Sequence, residues 1–213
     1  MLKLILSGLL VWSTALVAQS TTYAVNPTDS YIHIYTDTAG VLEVFSHKHL
    51  IAITQIEGEV AITPEGQSAY LIVRPQDFLV DDNVERARAA DPGFREPVGE
   101  NIQTGSKTNM LGERLLNVEE YPGIEVNIQL DQLSATPLLA VTVHILGQDR
   151  HLQIPAILQV DEQQIRATGY FEISHADLGL QPYVAMGGLL RVAEQLRVQF
   201  DIRADANAPE DSH

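Results

Sequence analysis

The sequence contains no cysteine. That absence excludes disulfide staples, thiolate metal sites, cysteine nucleophiles and iron–sulfur clusters, so any folded state has to be held by its core. Positive charge is also scarce. Thirteen Lys and Arg stand against 28 Asp and Glu, for a formal net charge of −15. Such a surface repels nucleic-acid phosphate and anionic membrane surfaces, which argues against both as partners. There is no G-x-S-x-G elbow, no Ser/His/Asp order that strand spacing would bring together, and no glycine-rich phosphate loop. Gly187-Gly188 lacks the strand–helix setting such a loop needs and reads as a turn. No enzyme is expected from these residues. Internal repeats and interdomain linkers are missing too, which leaves one domain.

Residues 1–20, MLKLILSGLLVWSTALVAQS, carry one early cation, Lys3, then an apolar run from Leu4 to about Val17. Small residues follow at Ala18 and Ser20. The run is too short to span a bilayer and has no charged stop beyond it. It reads as a secretory signal peptide cleaved after Ser20, with the mature chain in the periplasm. About 190 residues then remain, enough to bury one core without staples. Residues 206–213 are acidic and aperiodic and read as a disordered tail, leaving 21–205 as the folded domain.

Alternation at period two dominates that domain. Ile124, Val126, Ile128 and Leu130 share a face, as do Leu152, Ile154, Ala156, Leu158 and Val160. Ala167, Gly169, Phe171 and Ile173 do the same, and so do Leu196, Val198, Phe200 and Ile202. This pattern predicts antiparallel strands with one dry and one wet face. Turn signals punctuate them at 63–66, 147–149 and 161–163. Closing such a sheet into a barrel removes its edges, and eight strands suffice to enclose one small ligand. Residues 81–118 break the pattern. A short helix is predicted before Asp91-Pro92-Gly93, and a second over 101–117 with Met110, Leu111, Leu115 and Leu116 as its apolar stripe. An insertion of this length is expected to act as a cap or as a plug at one barrel end.

The stretch FSHKHLI, 45–51, holds the one cluster that could carry chemistry. His47 and His49 are two apart and project to one face of a strand. The parity that points them inward reverses by Ile56, so a bulge or bend is predicted near Thr54-Gln55. Three readings stay open: satisfied structural histidines, polar contacts in a ligand cavity, or two ligands of a metal that would need a third. By strand parity His144 and His151 face water and do not supply it. Asp77, Asp81 and Asp82 read as solvated loop carboxylates.

Several segments then resemble one family. YAVNPTDSYIHIYT at 23–36, His49 followed by Gly58-Glu59-Val60, LLNVEEYPGIEVNI, LAVTVHILGQDRHLQIPAIL and ISHADLGL fall in the order and spacing of the YceI-like exported lipid-binding proteins. GSKTNMLGERLL departs from the family's usual R-D-x-H-L stretch and is similar to a subgroup with a doubled His. The resemblance implies an all-β fold: an antiparallel eight-stranded lipocalin-like barrel with one or two short helices as a cap. It also implies an apolar tunnel for an isoprenoid lipid, either a polyprenyl lipid or a quinone-like tail. Val126, Ile128, Val141, Val143, Phe171, Ile173, Val198 and Phe200 would line it, and His47, His49 and Asn109 would be polar contacts. No cofactor and no resident metal are expected. A transient membrane-protein partner and a homodimer are left open. The competing reading is a metal-binding or redox-accessory protein built on His47 and His49.

Overall fold

The computed structural model describes residues 20–40, 47–64, 66–130 and 133–206. All but the last residue of the expected signal peptide and all but the first residue of the expected tail lie outside these. Thirteen strands and two α-helices are present among them: β1 (Thr21–Val25), β2 (Tyr31–Ala39), β3 (His49–Ile53), β4 (Glu57–Thr63), β5 (Gly66–Val73), β6 (Leu79–Val80), α1 (Asn83–Arg88), α2 (Glu100–Leu111), β7 (Ile124–Leu130), β8 (Leu138–Ile145), β9 (Gln148–Pro155), β10 (Ile157–Val160), β11 (Gln164–Ser174), β12 (Val184–Ala185) and β13 (Leu190–Ala206). All strand pairs are antiparallel.

The pairing order is β6-β3-β2-β13-β1-β4-β5-β7-β8-β9, with β11 on the far edge of β13 and β10 on β11. The expected eight strands are recognisable once bends are allowed for. β3 and β4 are one run of chain bent at 54–56, where the parity reversal placed a bulge. β9 and β10 are likewise one run, broken at Ala156. β9 pairs with β8, and β10 with β11. The sheet therefore curls until its two ends share a single stretch of chain, but no continuous ladder closes it. The interruption has a local cause. Pro155 has no N–H to extend the ladder, and the Ala156 N–H donates to the Pro137 carbonyl at 3.1 Å instead.

Turns fall where the punctuation put them. At β8–β9 the two loop residues, Leu146 and Gly147, both have positive φ, 52° and 68°. That is the two-residue hairpin geometry whose twist matches the flanking strands. At β10–β11 the Asp161 carboxylate accepts from the Gln163 and Gln164 N–H groups, both at 2.8 Å.

Three buried clusters result among the described residues, one of them small, formed by Ile173, Leu196 and Val198. The inward faces form the largest, which includes Tyr23, Ile53, Ile56, Leu71, Val141, Ile145, Ile165 and Ile202. Met110, Leu116 and the half-buried Leu111 and Leu115 add the contribution of the α2 region at one end. The helix is shorter than the 101–117 expected, because Gly112 ends it. Leu115 and Leu116 lie in the following turn, held by Leu116 N–H donating to the Met110 carbonyl at 3.1 Å. The second core lies outside the sheet. Tyr35, Leu50, Ala89 and Phe94 pack together, all at most 2% exposed. Here α1 and the Pro92–Phe94 turn clamp onto the outer wall rather than cap the barrel. Arg197 staples this clamp: its guanidinium lies 5.2 Å from the Phe94 ring and pairs with Asp91 at 2.7 Å and Asp37 at 2.8 Å.

Under the clamp His33 is buried, with Nε2 3.3 Å from a Glu85 carboxylate oxygen. Burial pushes its pKa down from the ordinary value, outweighing the upward pull of Glu85. The unfolded chain, with His33 near 6.5, therefore takes up the proton first as pH falls. Stability from this group is complete above about pH 6.5 and is lost as pH drops towards the folded value. Urea unfolding midpoints are expected to be lower at pH 5.5 than at pH 7.5, with a shallower pH dependence in His33→Gln. An equal dependence in both proteins would remove His33 as the cause.

Candidate functional site

The curled sheet encloses two cavities. The lower has a volume of about 250 Å³. It is lined mostly by strand side chains, apolar except for Gln67 and Ser68. All eight apolar positions singled out from the sequence are there: Val126, Ile128, Val141, Val143, Phe171, Ile173, Val198 and Phe200. Phe171 and Phe200 meet edge to face, with ring centroids 6.3 Å apart. Opposite the Phe200 ring sits Gly169, where a Cβ would fall 2.4 Å from a ring carbon, so this close approach requires glycine. The upper cavity, about 400 Å³, lies between the sheet and α2. Ile32, Leu71, Val126, Val143 and Leu178 line both, so the two share a waist. The upper lining is mixed. Thr36, His49, Ser106, Asn109, His175, Tyr183 and Arg191 interrupt its apolar wall.

Of the three polar positions expected, two are in place. His49 and Asn109 line the upper cavity, Asn109 from the exposed side of α2. His47 does not. It lies ahead of β3, is exposed, and lines neither cavity. The strand begins only at His49, so the i, i+2 relation never applies to the pair. This also undercuts the metal reading. Among the described residues no group of three or more His, Cys, Asp or Glu side chains is placed to hold a metal. His144 and His151 are exposed, as their parity predicted.

His49 is held by residues that the sequence reading passed over. Its Nδ1 lies 2.6 Å from Asp81 Oδ2. Asp81 is fully buried, against the expectation of a solvated carboxylate. Its other oxygen accepts from the Leu50 N–H at 2.9 Å and from Arg86 at 2.7 Å. Arg86 is itself buried and donates further to the Lys48 carbonyl at 2.9 Å and the Glu96 carbonyl at 2.8 Å. Asp81 also sits in the left-handed region, with φ of 55°. One carboxylate thus ties β3, α1 and the loop after α1 together and fixes the His49 ring. The neighbouring Asp82 caps α1, accepting from the Val84 and Glu85 N–H groups. His175, whose spacing in the sequence carried no signal, lines the same cavity and is 5% exposed.

No protein-family model matches the sequence. No curated protein matches it either. Solved structures do match by shape. A polyisoprenoid binding domain from Saccharophagus degradans, implicated in plant cell wall breakdown, is 13% identical, with a TM-score of 0.60 over 88% of this chain and 99% of its own. BcnA from Burkholderia cenocepacia is 12% identical, with a TM-score of 0.56 over 84% and 99%. The YceI protein of Campylobacter jejuni is 7% identical, with a TM-score of 0.51 over 74% and 85%. At such identities the likeness is one of fold, and it agrees with the order of motifs read from the sequence. The chain has the fold of the YceI-like proteins.

Proposed function

We propose that this protein is a non-enzymatic binding or carrier protein for an isoprenoid lipid, held with its chain in the lower cavity and its polar end in the upper one. The observation that carries this reading is the lining of the lower cavity: inward side chains of the curled sheet, almost all apolar, around space for a ligand. The fold neighbour from Saccharophagus degradans, described as a polyisoprenoid binding domain, supports the same ligand class. Magnitudes indicate chain length. Burial contributes about 0.8 kcal/mol per CH₂ equivalent. Association costs ~4–15 kcal/mol in lost freedom. Two isoprene units, roughly 8 kcal/mol by the same measure, exceed the lower end of that cost but not the upper. Four units, about 16 kcal/mol, exceed the whole range. A chain of about four units or more therefore binds anywhere in that range, with a polyprenyl lipid or a quinone-like tail as the candidates.

The signal-like N-terminus supports a working protein in the periplasm after cleavage. Native mass spectrometry of protein purified gently from that compartment, followed by organic extraction and metal analysis, tests the whole reading. One prenyl-containing lipid per chain, on a mass that starts at Thr21, is the expected result. A protein free of lipid and carrying one equivalent of metal would overturn it in favour of a metal-linked role.

A further inference from the structure

Resting on the lipid-binding reading, the polar wall of the upper cavity specifies what the lipid's polar end must be. Thr36 of β2 stands directly opposite His49 of β3, and both line this cavity. Thr36 is 6% exposed, and its Oγ1 has no hydrogen-bond partner among the described residues. A buried hydroxyl left unpaired is destabilising, and native structures rarely keep one without a reason. The inward positions before it on β2, Ile32 and Ile34, are apolar.

His49 supplies the complement. Asp81, paired with the Arg86 guanidinium at 2.7 Å, is a carboxylate and can only accept. In its neutral form the His49 ring therefore carries its proton on Nδ1, facing Asp81 at 2.6 Å. That leaves Nε2 as a lone-pair acceptor. His175 has the same arrangement: its Nδ1 lies 3.0 Å from the Glu194 carbonyl oxygen, which can only accept, so in the neutral ring its Nε2 is also an acceptor.

The geometry points to Thr36 and His49 as a headgroup site selective for a hydroxyl, that is, for a prenyl alcohol or phenol rather than an ether, ester or quinone carbonyl. The ligand O–H donates to His49 Nε2, and its oxygen accepts from Thr36 Oγ1–H. A carbonyl or ether oxygen satisfies Thr36 but sets a lone pair against the imidazole lone pair. Such a site rejects the analogue lacking the donor because its own polar groups are then left unpaired.

Titration calorimetry of the full chain with geranylgeraniol and with its methyl ether tests this, since the two share one hydrocarbon chain. The alcohol is expected to bind about tenfold tighter, the effect of one buried hydrogen bond. Thr36→Val is expected to keep or raise the melting temperature, because no protein partner is lost, while reducing the alcohol's advantage severalfold. Thr36→Val combined with His49→Phe is expected to bind both ligands equally. Equal affinities in the unaltered protein, or a Thr36→Val variant that keeps the full tenfold advantage, would overturn the headgroup site while leaving lipid binding standing. Failure of both ligands to bind would overturn the lipid reading and this site with it.

Discussion

Replacing Asp81 with asparagine is expected to cost about 3–5 kcal/mol of stability and to lower the melting temperature by roughly 10 °C. The substitution isolates charge. Asn fills the same volume and tolerates the left-handed backbone of Asp81, at φ of 55°. What it removes is the counter-charge of Arg86, whose side chain is 3% exposed and stays buried with only carbonyl partners at Lys48 and Glu96. An uncompensated buried cation accounts for most of the loss. Removing both charges, in Asp81→Asn with Arg86→Met, is expected to restore part of it, because the desolvation of Arg86 disappears as well. Thermal and urea unfolding of the single and double variants checks both statements. A single variant as stable as the unaltered protein would mean that the pair holds nothing together.

A charge or a bulky ring at the waist between the cavities is expected to abolish lipid retention. Val126 lines both chambers, facing Leu71 and Val143 across its two neighbouring strands. Val126→Glu puts a carboxyl among apolar side chains, where a chain threading past must leave it without water or a partner. Val126→Trp keeps the surface apolar and fills the passage instead. Lipid extracted per folded protein is expected to fall more than tenfold in both. Full retention by a folded Val126→Trp protein would mean that the ligand does not run through the waist.

The inner wall was legible because its code is local. Strand parity put eight apolar residues on inward faces, the resemblance made those faces a tunnel wall, and all eight line the lower cavity. The outer wall was misread for a reason visible in the same code. Period-two logic assigns the outward face to water, yet β2 carries outward Tyr35, and β3 carries outward Leu50 and Ala52, both completely buried. Strands apolar on both faces signal a second covering layer, and here α1 and Phe94 provide it. Asp81 was illegible from its neighbourhood. Beside Asp82 and Asn83 it reads as a solvated loop carboxylate like Asp82, which caps α1. Its partners Leu50 and His49 lie 31 and 32 residues away, brought in by the β3–β6 pairing rather than by any local pattern. His47 failed for the opposite reason: spacing suggested a strand that starts two residues too late.

The pairing of β1 with the far end of β13 also sets the order of events in folding. Tyr23 stands opposite Ala206, and the Asn26 amide donates to Asp205, 179 residues away along the chain, at 2.8 Å. β13 is at once the partner of β1, β2, β11 and β12. Every strand made earlier has to wait for this last one before the sheet can curl. Loop-closure entropy of that kind makes a slow folder, with unpaired edges exposed in the meantime. A ribosome-bound or otherwise incomplete chain that lacks β13 therefore lacks one wall of both cavities, the one that Val198 and Phe200 supply below and Val192 and Leu196 above.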